Sequence, residues 1–112
     1  MKATYVYVSG PISSDPIGGA RRAIHLAAYL DSKGFTCFVP HLYVFADAIS
    51  PRSYEEYMRL DLDWLRRCDV LLRLPGISAG ADLEVREANR LGIKVFTDME
   101  ALIAWSNARK DK

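Results

Sequence analysis

Asp61 and Glu84 stand where helical periodicity would turn a side chain inward. A helix turns about 100° per residue. On that wheel residues 53–67 gather Tyr54, Tyr57, Met58, Leu62, Trp64 and Leu65 into one apolar arc, with Asp61 near its centre. Residues 80–91 gather Ala81, Val85, Ala88 and Leu91, and Glu84 falls between the last two. Polar residues such as Glu55, Arg59, Arg66, Asp82, Arg86 and Arg90 take the opposite faces. A carboxylate facing a core loses its hydration, so it changes its pKa, pairs with an arginine or performs chemistry. Two such groups in a chain of 112 residues point to an active site with one carboxyl able to supply a proton and one able to stay ionised.

The elements that must carry this pair are legible as an alternation of strands and helices. Residues 5–8 form a short apolar run ended by Ser9-Gly10-Pro11, and a long loop follows to about Gly19. Residues 20–33 repeat apolar side chains at helical spacing up to Gly34, a left-handed cap. Residues 35–39 read as a second strand stopped by Pro40, and residues 41–52 as a long loop of the kind that often forms a lid. Ser53 and Glu56 make a capping box for the helix that holds Asp61. A third strand over 69–74, the Glu84 helix over 80–91 closed by Gly92, a strand over 94–96 and a last helix over 99–107 complete the chain, with a frayed end from Arg109.

Continuous apolar strands joined by helices imply a parallel sheet covered on both faces. The expected fold is α/β, a three-layer α/β/α sandwich around a small doubly wound parallel sheet of the flavodoxin or Rossmann kind, about four strands in order 2-1-3-4. Ligands of such sheets bind at the carboxyl ends of the strands, where the order reverses. The segments 9–19, 41–52 and 75–80 would meet there.

Composition narrows the function classes. Half the residues are hydrophobic and the formal charge is +1, from 15 basic and 14 acidic residues. One domain over 1–112 is expected. No basic stripe favours polymeric nucleic acid, and no apolar run has the length of a membrane span or the form of a signal peptide, so the expected location is the cytoplasm. Cys37 and Cys68 lack metal-ligand or redox spacing, and His25 and His41 lie far apart, so free thiols, no metal site and no cofactor are expected. The glycines Gly10, Gly18 and Gly19 fit neither a dinucleotide fingerprint nor a Walker loop. Ser78-Ala79-Gly80 opens a helix, where free N–H groups attract anions; a plain N-cap role for Ser78 is equally open.

Taken together, Tyr7-Val8-Ser9-Gly10, Asp61-Leu62-Asp63-Trp64-Leu65 leading to Cys68-Asp69-Val70, and Ser78-Ala79-Gly80 with Glu84 and Ala88 resemble the nucleoside 2-deoxyribosyltransferase family. The nearer likeness is to its branch of 2'-deoxynucleoside 5'-phosphate N-hydrolases and to small relatives opening with Tyr-x-Ser-Gly-Pro, and it covers residues 5–96. The resemblance implies hydrolysis of the N-glycosidic bond of a nucleoside 5'-monophosphate, releasing free base and sugar 5-phosphate. It makes Glu84 the nucleophile, Tyr7 its orienting group and Asp61 the carboxyl that assists the departing base. It places Ser9, Gly10, Ile12, Ser13 and Gly80 against the substrate, Ser78 on the 5'-phosphate and His41 near the base. It also implies a homodimer or higher homo-oligomer.

The chemistry of such a cleavage agrees with a paired-carboxyl site. Retaining glycosidases hold their two carboxyls about 5 to 5.5 Å apart, one capturing the oxocarbenium-like centre while the other protonates the leaving group. Burial would raise Asp61 toward neutrality while Glu84 stays ionised near a helix N-terminus and the Tyr7 hydroxyl. Relatives carry Ser and Arg in the first loop where this chain has Pro11 and Ser13; Arg21, Arg22 or Arg52 could replace that phosphate anchor. The alternatives are a transferase exchanging bases, a nucleotide-binding or sensing module without turnover, and an assembly domain with Tyr54, Tyr57 and Trp64 at a subunit interface.

Overall fold

The structure, a computed structural model, describes residues 3–12 and 15–110. Strands β1 (Thr4–Ser9), β2 (Phe35–Phe38), β3 (Val70–Arg73) and β4 (Lys94–Phe96) form one all-parallel sheet in the order β2-β1-β3-β4. Helices α1 (Pro16–Ser32), α2 (Tyr43–Ile49), α3 (Tyr54–Leu65), α4 (Ala79–Leu91) and α5 (Met99–Lys110) complete a doubly wound, Rossmann-like fold.

Side chains alternate across a strand, and here each set finds its own helices. Val6, Val8, Val70 and Leu72 pack with Ala23 and Leu30 of α1 and Leu102 of α5. Tyr7 and Leu71 turn the other way, against Leu65 of α3 and Ala88 of α4. Asp61 and Glu84 sit on the faces that α3 and α4 bury, as the wheel predicts: they are 6% and 5% exposed.

Local signals explain most boundaries. Ser53 accepts from Glu56 N at 3.1 Å and Glu56 Oε1 accepts from Ser53 N at 3.3 Å, so α3 opens on the expected capping box, a motif that contributes about 1 kcal/mol. Gly34 and Gly92, at φ 93° and 75°, close α1 and α4 in the left-handed conformation.

Two readings of loops give way. Helix α1 begins at Pro16 rather than near residue 20, so Gly18 and Gly19 are helical. Asp15 caps it by accepting from Gly18 N at 3.2 Å, and Gly19 passes so close to the first loop that a Cβ would lie 3.2 Å from the Pro11 carbonyl. Close approach, not turn-making, is what these glycines provide. The 41–52 segment is also ordered locally: a 3₁₀ turn (Pro40–Leu42) runs into α2.

At the carboxyl edge of the sheet the loops after β1 and β3 touch. Gly76 has φ 117°, and a Cβ there would stand 2.7 Å from Pro11 Cγ, so only glycine lets the two loops close on each other. They form one wall of the cleft described next.

Candidate active site

Tyr7 and Ser9 lie two residues apart on β1, so both side chains leave the sheet on the α3/α4 face. Both are fully buried. The Tyr7 hydroxyl donates to Glu84 Oε2 at 2.5 Å and the Ser9 hydroxyl donates to Glu84 Oε1 at 2.7 Å. Each carboxylate oxygen is thus fixed by its own donor. Glu84 sits in the second turn of α4, since the helix begins at Ala79, and these side-chain hydroxyls, not the helix terminus, orient it.

Electrostatics follow from this packing. Burial pushes the Glu84 carboxyl up, against the downward pull of the Tyr7 and Ser9 hydrogen bonds and the nearby Arg73 charge. Burial likewise raises the Tyr7 phenol far above its usual range, helped by Glu84, so it remains a donor. Asp61 is raised to about 7, first by burial and then by the Glu84 charge. Its Oδ1 is buried with no hydrogen-bond partner among the described residues. One carboxyl therefore has two donors to support its charge, and the other lacks them.

Asp61 and Glu84 open onto the same cavity, about 1000 Å³, the size of a ligand site at the upper end of the usual range. Gly10 and Ile12 of the first loop, Ser78, Ala79 and Gly80 at the start of α4, and Tyr54, Tyr57 and Met58 of α3 line it with them. Pro40, Tyr43, Val44 and Asp47 close it from the segment after β2. Ser78 caps α4, accepting from Ala81 N at 3.1 Å; it lines the cavity, and its hydroxyl donates to no partner among the described residues.

Several expected contacts are placed differently. Ser9 is expected against the substrate, yet its hydroxyl is engaged by Glu84, so it holds the carboxylate. His41 is 1% exposed and absent from the cavity lining. Burial lowers its pKa, against an opposing pull from the Pro11 backbone, and its Nδ1 is buried with no hydrogen-bond partner among the described residues. Ser13 lies outside the described residues. Arg21, Arg22 and Arg52 do not line the cavity; Arg22 pairs with Asp15 at 3.6 Å. Tyr54 and Tyr57 face the cavity, and Trp64 stacks on Phe38 with centroids 5.0 Å apart. No group of three or more His, Cys, Asp or Glu suited to a metal ion occurs among the described residues, and no helix there is long and apolar enough to cross a membrane.

Arg73 ends β3, and nothing in its sequence neighbourhood marks it for a role. Its guanidinium donates to the Leu74 carbonyl, to the Gly76 carbonyl at 2.8 Å and to Asp82 Oδ1 at 3.3 Å, tying the β3–α4 loop to the first turn of α4. Arg73→Gln should destabilise the fold by about 0.5–1.5 kcal/mol, the net scale of hydrogen bonds whose acceptors water can reach. It should also move the acid limb of any Glu84-dependent pH profile upward, because a charge that lowers Glu84 is gone. Urea unfolding and a pH–rate profile measure the two effects; Arg73→Lys, which keeps charge but loses the fork, should restore the limb more than the stability.

Comparison with known proteins bears first on the fold. The chain superimposes on a solved structure described as "2-desoxiribosyltransferase from Leishmania mexicana", with TM-score 0.65 and 20% identity over 82% of this chain. At that identity the likeness is one of fold, and the match spans 61% of the other protein's length. No curated protein matches the sequence. A sequence family does, over residues 4–97, a stretch that takes in β1, both buried carboxyls and β4, and the chain therefore belongs to DUF4406, a domain of unknown function.

Proposed function

We propose that the chain cleaves the N-glycosidic bond of a nucleoside-type substrate through a covalent intermediate on Glu84. The observation that carries this reading is the pairing of a doubly hydrogen-bonded carboxylate, Glu84, with a carboxyl raised to about 7, Asp61, on one cavity.

In the first step a Glu84 oxygen bonds the anomeric carbon while the bond from that carbon to the base nitrogen breaks. The base leaves with the electron pair, and Asp61 supplies its proton. In the second step water attacks the same carbon, gives a proton to the Asp61 carboxylate and releases Glu84. Nucleoside and water become free base and sugar, and both carboxyls return to their starting states. Tyr7 and Ser9 keep Glu84 aimed; their hydrogen bonds strengthen again as the ester breaks and charge returns to the carboxylate. The fold of the deoxyribosyltransferase and the residue pattern at Tyr7, Asp61 and Glu84 support the same assignment.

Incubation with ribo- and deoxynucleosides and their 5'-monophosphates, followed by chromatography, should release free base from at least one class. A second free base added to the mixture separates hydrolysis from transfer: its appearance in a new nucleoside would make the acceptor a base instead of water. Tight binding of a panel member without any release would replace this reading by a sensor. The 5'-monophosphate implied by the sequence resemblance is one arm of that panel.

A further inference from the structure

We propose that this site takes an uncharged nucleoside whose base bears an exocyclic amino group, and that Asp47 is the residue that reads that group. The proposal rests on the N-glycosidase reading for its reaction and on the cavity wall for its substrate.

Charge is the first observation. Three carboxyl groups, Asp47, Asp61 and Glu84, line the cavity, and no lysine or arginine does among the described residues. A phosphate monoester carries close to two negative charges at neutral pH, and such a group in a largely apolar cleft meets like charge with no lysine or arginine among the described lining residues to neutralise it. A sugar 5'-hydroxyl has no such conflict, and the free proton of Ser78 suits it.

Preorganisation is the second. Asp47, on α2, has its Oδ1 held by the Tyr57 hydroxyl at 2.7 Å and by Arg52 N at 3.1 Å. Those two donors hold the Asp47 carboxyl below its usual range, so it is an acceptor wherever Asp61 is still part protonated. With Oδ1 committed, Oδ2 is left to accept a hydrogen bond from a ligand. Beside it Tyr43 and Tyr57 lie with ring centroids 5.5 Å apart, and together with Tyr54 they give a flat heterocycle aromatic surface to pack on. An amino group donates to a fixed carboxylate, whereas the keto oxygen of a deaminated base directs lone pairs at it. Asp47 is half-buried on the cavity wall, so this contact discriminates as a partly solvated one.

The pairs adenosine and inosine, and cytidine and uridine, exchange this amino group for a keto oxygen and turn the neighbouring ring nitrogen from an acceptor into an N–H donor. The panel therefore adds 1-methylinosine and 3-methyluridine, deaminated partners that lack that N–H. Each is assayed as ribonucleoside, 2'-deoxynucleoside and 5'-monophosphate. The amino member should exceed its deaminated partner in kcat/KM by roughly threefold to tenfold, the scale of one net hydrogen bond in a partly solvated site, and should exceed its own 5'-monophosphate as well. In Asp47→Asn, checked by thermal unfolding to be folded, the amino preference should close or invert, because an amide can turn its NH₂ toward a keto oxygen. Faster cleavage of the monophosphates, equal rates within the pairs, or an unchanged preference in Asp47→Asn would overturn the proposal while leaving the reaction intact. Should wild type release no base at all, calorimetric binding of the same panel to the protein decides: an amino preference without phosphate sustains the recognition while the reaction falls, and indifferent or absent binding overturns the recognition too.

Discussion

Glu84→Gln should lower the rate of base release by about 10⁴-fold or more, the scale on which loss of a catalytic nucleophile falls. An amide has the shape of the carboxylate but cannot form the glycosyl ester. Its oxygen still accepts from one of Tyr7 and Ser9, and its NH₂ can donate to the other, so the fold should survive. Burial already opposes the Glu84 charge, which the substitution removes, and stability at neutral pH should hold or rise. Glu84→Ala makes the informative contrast. It loses the nucleophile and also strands two fully buried hydroxyls, a destabilisation of about 1–3 kcal/mol for each group left unpaired. Equal kinetic loss in the two variants with unequal loss in urea unfolding is the expected pattern. Near-normal base release by Glu84→Gln would remove the nucleophile from Glu84.

What could be read in advance, and what could not, divides along the range of the interactions. Asp61 and Glu84 were legible because α3 and α4 are long enough for a 3.6-residue period to declare a face. The strand order was legible because short apolar runs separated by helices leave few topologies open. Helix α2 was not, since seven residues give too little periodicity to outweigh the turn signals around them. With α2 unread, Asp47 was one more polar residue in a loop. Nothing local in Tyr57 announces that its hydroxyl would meet a side chain from α2.

The surroundings of Ser9 and His41 were hidden for a related reason. A serine after a strand and a histidine after another are both sensible ligand contacts on chemistry alone. Which way each points depends on α4 and on Pro11, elements distant in the chain. Arg73 is the same case: two of its three acceptors lie in a loop whose course is set by Gly76 closing against Pro11, and the third is on α4. Periodicity identifies a buried face, but a hydrogen-bond partner across the fold is settled only when the elements have packed.

Asp61→Asn should cut base release by about 10²- to 10⁴-fold for a purine or pyrimidine leaving group, the usual contribution of a positioned general acid. A substrate whose leaving group departs without a proton should lose far less, and that difference separates acid catalysis from a general disturbance of the cavity. With Asp61 raised to about 7, wild-type activity should fall as pH climbs past neutrality and the proton is lost, and the variant should lack that limb. Stability gives an independent check with a definite sign. The folded carboxyl holds its proton up to about 7, whereas the unfolded one releases it near its ordinary 3.8, so between those values the folded state binds the extra proton. Stability should therefore decline as pH rises through that window, on the order of 1.4 kcal/mol per pH unit at its steepest. Asp61→Asn should flatten this slope and be the more stable protein above pH 7, although the less active one. A variant that lost activity and stability together at pH 8 would mark Asp61 as a structural group and leave the leaving base without its acid.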